Sequence, residues 1–151
     1  MKILTTIALL ALAGGAMVFL VYFWQGNQMG SLFNPGTLIR VGKTSVIVEI
    51  VRTEEARERG LSGRDSLAPG HGMLFVFESE GLPGIWMKDM KFPIDIIWAD
   101  KNGTIVTIAR KVAPQSYPNI FTPTSPALYV LEVPPGFVDQ YSIAEGDKIV
   151  L

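Results

Sequence analysis

The chain has 151 residues, with 13 Lys and Arg against 14 Asp and Glu and a single His, for a formal net charge of −1. It contains no cysteine, which excludes disulfides, a thiol nucleophile and thiolate metal sites. The near-neutral, well-mixed charge gives no support to a nucleic-acid-binding surface.

Ile3 to Trp24 is a run of 22 residues without a charge. As a helix it would extend roughly 33 Å, enough for a hydrocarbon core of about 30 Å. Lys2 precedes the run, and Tyr22, Phe23 and Trp24 close it, where aromatic rings meet lipid headgroups. Residues 1–24 therefore read as a transmembrane anchor with the following domain outside the cytoplasm. The alternative is a cleaved signal sequence, with Ala11, Ala13 and Gly14 as the small-residue site. Both readings export the rest of the chain. Residues 25–36 are small and polar and read as a flexible tether.

Residues 37–151 read as one β-rich domain. Thr37 to Val41 and Ser45 to Arg52 flank a Gly42-Lys43 turn, with Val46, Val48 and Ile50 alternating onto one face. Thr53 to Arg59 reads as a helix: Thr53 suits the N-cap, Glu54 and Glu55 suit its positive end, and Gly60 can stop it. Leu61 to Gly72 reads as a loop containing His71, whose bland reading is an exposed residue. Met73 to Phe77 and Ile85 to Lys88 read as strands. Ile94 to Ala99 and Thr104 to Arg110 form a hairpin about Asn102-Gly103. Ala113 to Pro126 carries four prolines and reads as a long loop. Ala127 to Val133 is a strand, Phe137 to Tyr141 one helical turn, and Lys148 to Leu151 a last strand. The expected fold is mainly β (α+β): a small β-barrel or β-sandwich with one short helix, preceded by the membrane helix.

Five spaced blocks carry a resemblance. They are Glu55 with Arg59-Gly60-Leu61, Gly72 to Phe77, Trp86-Met87-Lys88, Pro93-Ile94-Asp95, and Tyr129 to Val133. Together they resemble the domain of unknown function 192 family over about residues 45–151. The resemblance implies a small β-barrel or sandwich, often exported, and assigns no activity.

Charges inside apolar strands need a partner or a use. Lys88 and Asp95 bracket the turn from Asp89 to Pro93 and are expected to come together, either as a charged pair at the mouth of an apolar cavity or as a structural salt bridge. Glu132 lies between Leu131 and Val133, so it faces away from both. Solvent exposure or pairing with Lys88 or Arg64 is expected there, ahead of catalysis. Trp86 and Trp98 read as core, with a stacking platform as the functional alternative for a strand aromatic. The candidate ligand-binding set is Lys88, Asp95, Trp86, Arg64 and Glu132. No metal site and no cofactor are expected: one histidine without cysteines is a poor ligand set.

Two functions follow. One is a membrane-tethered extracytoplasmic binding or accessory module, with the membrane as one partner and a small polar ligand or another envelope protein as a second. The other is a small hydrolase using Asp95 and Glu132 as paired carboxylates, with Lys88 as electrostatic stabiliser. Two carboxylates across an open cleft would favour the enzyme.

Overall fold

The computed structural model describes residues 36–151. The expected anchor at residues 1–24 and the expected tether at residues 25–36, Gly36 aside, lie outside the described residues. Among the described residues, no helix is long and apolar enough to cross a membrane.

Among the described residues, nine strands and two short α-helices follow one another. They are β1 (Thr37–Val41), β2 (Thr44–Val51), α1 (Glu54–Arg59), β3 (His71–Gly81), β4 (Ile85–Trp86), β5 (Ile94–Ala99), β6 (Ile105–Val112), β7 (Ile120–Phe121), β8 (Ala127–Val133), α2 (Phe137–Gln140) and β9 (Ile149–Val150). Seven strands form one sheet in the order β6-β5-β8-β3-β2-β1-β9, while β4 and β7 pair as a separate ribbon. Only β2 and β3 run parallel, because α1 and the loop after it carry the chain back to the start of the sheet. The large sheet curls into a half-barrel. Its two ends are linked by backbone bonds from Ile149 N to the Gly103 carbonyl and from Ile105 N to the Asp147 carbonyl, each 2.8 Å.

Side chains alternate across each strand, so the curled sheet buries two apolar layers. Val46, Val48, Leu74, Ile97, Ala99, Leu131 and Val133 face the inner layer, which Phe137, Val138 and Ile143 close from one end. Met73, Phe75, Ile94, Ile96, Trp98 and Val130 face the outer layer, which Leu61, Ile85 and Met87 cover. Every residue of β5 is buried, which explains why it is apolar but for Asp95. Each fully buried Leu, Ile or Phe contributes roughly 1.5–3 kcal/mol.

Local signals in the sequence set the turns. The Thr53 hydroxyl accepts a hydrogen bond from Ala56 N, capping α1, and Gly60 leaves the helix at φ 47°. In the β5–β6 hairpin, Asp100 Oδ1 accepts from Asn102 N at 2.9 Å and from Thr104 N at 2.7 Å. Gly103 has φ 73°, and a Cβ there would stand 2.2 Å from the Ile149 carbonyl oxygen, so only glycine fits where the sheet ends meet.

Two expectations change. The segment from Ala113 to Pro126 is not structureless: it holds a 3-10 turn at Pro114–Ser116 and strand β7, which bonds to β4. The strand expected from Ile85 to Lys88 stops at Trp86, where the chain turns away toward Pro93.

Candidate functional site

The outer layer is not fully filled. Between α1, the outer face of β3 and β8, and the β4–β7 ribbon lies a cleft of about 390 Å³. One wall is α1, with Glu54, Arg57, Glu58 and Arg59, continued by Gly60, Leu61 and Ser62. Phe75, Phe77 and Glu132 come from the sheet, and Ile85, Trp86, Met90 and Ile120 from the covering segments. Residues 54, 57 and 58 share one helical face by their spacing of three and four, which is why α1 presents them together.

Glu132 is the buried polar group of this cleft. It stands opposite Met73 on β3 and Ile96 on β5, both outer-layer residues. It is 5 % exposed. Among the described residues no protein group hydrogen-bonds its carboxyl and no fully buried side-chain oxygen lacks a partner, so the carboxyl oxygens open onto the cleft. Burial pushes its pKa up to about 8, while the positive charge of Arg64 pulls the other way. The expectation of a solvent-facing Glu132 is thus corrected. The covering layer supplied by residues 61–92 buries a face that would otherwise be wet.

Arg64 is held by Glu49 on β2. Its Nη2 donates to Glu49 Oε2 at 2.8 Å and Nη1 donates to Oε1, a bidentate pair. That pair lowers the Glu49 pKa and raises that of Arg64, with burial opposing both. Glu49 and Glu132 are both register partners of Met73, on either side of β3. Two strand spacings separate their backbones by roughly 10 Å. Arg64 therefore acts on Glu132 through its charge and bonds to Glu49.

Trp86 lies at the rim and is 43 % exposed, not core. The Lys88 ammonium sits over its ring, 5.7 Å from the centroid. The Lys88 carbonyl accepts the Ser62 hydroxyl at 2.8 Å. Arg57 lies over the Phe77 ring at 4.9 Å and donates to the carbonyls of Arg52 and Val76. Trp98 is core, and its indole N–H donates to the Pro83 carbonyl at 3.0 Å.

Asp95 is elsewhere. It shares the inner face with Ile97 and Ala99 and is fully buried. Its Oδ1 accepts from Lys111 N at 2.7 Å and its Oδ2 from Val138 N at 2.9 Å. The expected Lys88–Asp95 pair does not form, because Asp95 points inward while Lys88 is exposed at the rim of the outer cleft. Nor do Asp95 and Glu132 form a dyad. Asp95 is the partner of Val133, and Ile96 of Glu132, so the pleat sends the two carboxyl groups to opposite faces. Of the five candidate residues, Glu132 and Trp86 line the cleft, Lys88 and Arg64 adjoin it, and Asp95 does not reach it.

Sequence reasoning missed Arg57, Phe75, Phe77 and Ile120 as cleft residues. The spacing on α1 and the outward alternation of Phe75 and Phe77 with Met73 carried the first three. Nothing local pointed to Ile120, which arrives through the β4–β7 pairing. His71 is exposed at the start of β3, with Nδ1 3.2 Å from the Pro69 carbonyl oxygen. Among the described residues no cluster of three His, Asp or Glu could hold a metal ion.

These features define a small, curled β-sheet domain with one partly apolar cleft on its outer face. The chain belongs to the DUF192 family (Uncharacterized ACR), whose model matches residues 37–151. Two solved structures are similar. A putative transcription regulator from Sinorhizobium meliloti 1021 is 32 % identical, with TM-score 0.71, over 74 % of this chain and 90 % of that one. A protein of unknown function from Novosphingobium aromaticivorans DSM 12444 is 26 % identical, with TM-score 0.72, over 76 % of this chain and 84 % of that one. No curated protein matches the chain.

Proposed function

We propose that this domain is a small-molecule binding module, held on the extracytoplasmic side of a membrane by the apolar segment at residues 3–24. The observation that carries the binding reading is Glu132: a buried carboxyl without a protein donor, facing a cleft walled by Phe75, Phe77, Ile85 and Trp86. With no protein donor on it and its oxygens open to the cleft, this carboxyl is free to meet something that enters. An apolar enclosure with a few polar groups is the usual form of a small-ligand site. Lys88 and Trp86 at the rim and Arg64 beside the floor complete the proposed ligand-binding set.

The hydrolase reading loses its support, since it needed Asp95 beside Glu132. The regulator designation of the Sinorhizobium relative is not adopted. All 14 acidic residues and 12 of the 13 basic ones follow Lys2, a balance that gives no support to a nucleic-acid-binding surface.

A fragment screen by NMR on the full chain tests the binding reading. Hits should shift the amides of Phe75, Trp86 and Glu132 and be lost on filling the cleft with Gly84→Leu. Hits that cluster elsewhere, with the cleft silent, would overturn it. Fractionation with amino-terminal sequencing tests the location. A soluble mature protein starting at Gly14 would remove the anchor.

A further inference from the structure

We propose that the ligand enters with a cationic nitrogen first, as a primary ammonium or amidinium group on an apolar body, and that this group pairs with the Glu132 carboxylate. The proposal rests on the binding reading above and names the chemistry of its ligand.

Four observations point the same way. Glu132 is almost wholly buried and, among the described residues, receives no hydrogen bond. A carboxyl that opens onto the cleft has no protein donor, and the strongest donor that could enter is a cation. The nearest protein cation is already committed, because Arg64 gives both terminal nitrogens to Glu49. The rings along the cleft already receive cations at its edges: Arg57 over Phe77 at 4.9 Å and Lys88 over Trp86 at 5.7 Å. Aromatic faces favour ammonium and guanidinium groups, so the path to Glu132 suits a positive end.

The exchange balances. The empty site holds Glu132 with its proton, and burial favours that neutral form. An entering ammonium keeps all of its own protons, and Glu132 releases one to solvent as the ion pair forms. Binding of the cation therefore releases a proton, whereas binding of a neutral isostere does not.

Other charged groups face the same space. Glu54, Arg57, Glu58 and Arg59 come from α1, and Arg64 with Glu49 lies beside the floor. His71 acts on Glu49 from farther along β3. The β4–β7 ribbon brings no titratable side chain to the lining. Replacement of Glu132 alone separates its share from theirs.

The test is calorimetric titration of the full chain, in nonionic detergent, with n-butylammonium and with 1-butanol. Each is run in buffers of different ionisation enthalpy. Butylammonium should bind at least about tenfold tighter than butanol at pH 7, and it should release close to one proton. Its affinity should rise about tenfold per pH unit below pH 8, the value at which the empty site gives up its proton, and level off above it. In Glu132→Gln the proton release should vanish and the two probes should bind alike. If butanol binds as tightly as the amine and no proton is released, the cationic reading is overturned while the cleft remains a binding site. If neither probe binds to folded protein but other fragments occupy the cleft, the cationic reading again fails alone. If nothing at all occupies the cleft, both readings fail.

Discussion

Asp95 and Glu132 sit one register step apart on paired strands and point to opposite faces of one sheet. The inward one is consumed by the fold, tying the end of β6 and the start of α2 to β5. The outward one has no donor among the described residues and faces the cleft. Two acidic residues that look alike in the chain thus divide into a structural group and a site group by the parity of the pleat.

Asp95→Ala should be strongly destabilising. It strips the acceptor from the backbone amides of Lys111 and Val138, the second of them buried. At roughly 1–3 kcal/mol for each orphaned donor, the loss should come to about 2–5 kcal/mol in urea melts. A cost under about 1 kcal/mol would mean that water replaces the carboxyl freely.

Glu132 should make stability fall with pH. In the folded protein it keeps its proton to about pH 8, against an ordinary value of 4.5. Its contribution is complete below that ordinary value and is lost as pH rises through the folded one. Between the two, folding takes up a proton, at roughly 1.4 kcal/mol per pH unit, or of order 3–5 kcal/mol in all. Glu132→Gln should remove this slope, so that its advantage over the parent grows from pH 5 to pH 8.5 in denaturant titrations. Parallel curves for the two proteins would reject the assignment.

Arg64→Met should move two carboxyl groups at once. Glu49 loses the bond that lowers its pKa and should rise toward its ordinary value. Glu132 loses the one positive charge that opposes its burial and should rise further. Carboxyl carbon NMR titration reads both shifts. The stability cost should stay within about 1 kcal/mol, since the Arg64–Glu49 pair is more than a third exposed.

Gly103→Ala should spring the junction between the ends of the sheet. The new methyl group has to occupy space 2.2 Å from the Ile149 carbonyl oxygen, at a positive φ that alanine resists. A loss of about 1–3 kcal/mol is expected, with faster hydrogen exchange at the Ile149 amide, which donates to the Gly103 carbonyl. Unchanged exchange there would show that the ends do not depend on this contact.

Much of the described fold was legible in residues. The Asn102-Gly103 hairpin, the Thr53 cap and the stop at Gly60 are local, and each determines a turn by short-range bonding. Ile94 to Ala99 reads as a strand of that hairpin, and its mostly apolar residues are buried on both faces. The same run hid the orientation of Asp95, because a strand with no polar face shows no alternation against which to place one charge. Glu132 looked wet for the complementary reason. Its parity was readable, but the layer that covers its face comes from α1, the following loop and the β4–β7 ribbon. That ribbon joins Ile85 to Phe121 across a large part of the domain, and two-residue strands leave no periodic signal. Trp86 reads as core because strand aromatics usually are, whereas it alternates outward between the buried Ile85 and Met87.

The junction between β1 and β9 joins the first strand of the domain to the last. A ribosome delivers these strands in order, so β1 is made long before its neighbour exists. The β1–β2 hairpin can form early, yet the free edge of β1 then shows unpaired amides and carbonyls until β9 emerges. The domain has no cysteine with which to fasten a half-made sheet. The edge of β1 therefore stays open until the end of synthesis, and closure of the sheet is one of the last events. Such long-range pairing places its folding among the slower small domains, on the order of milliseconds to seconds.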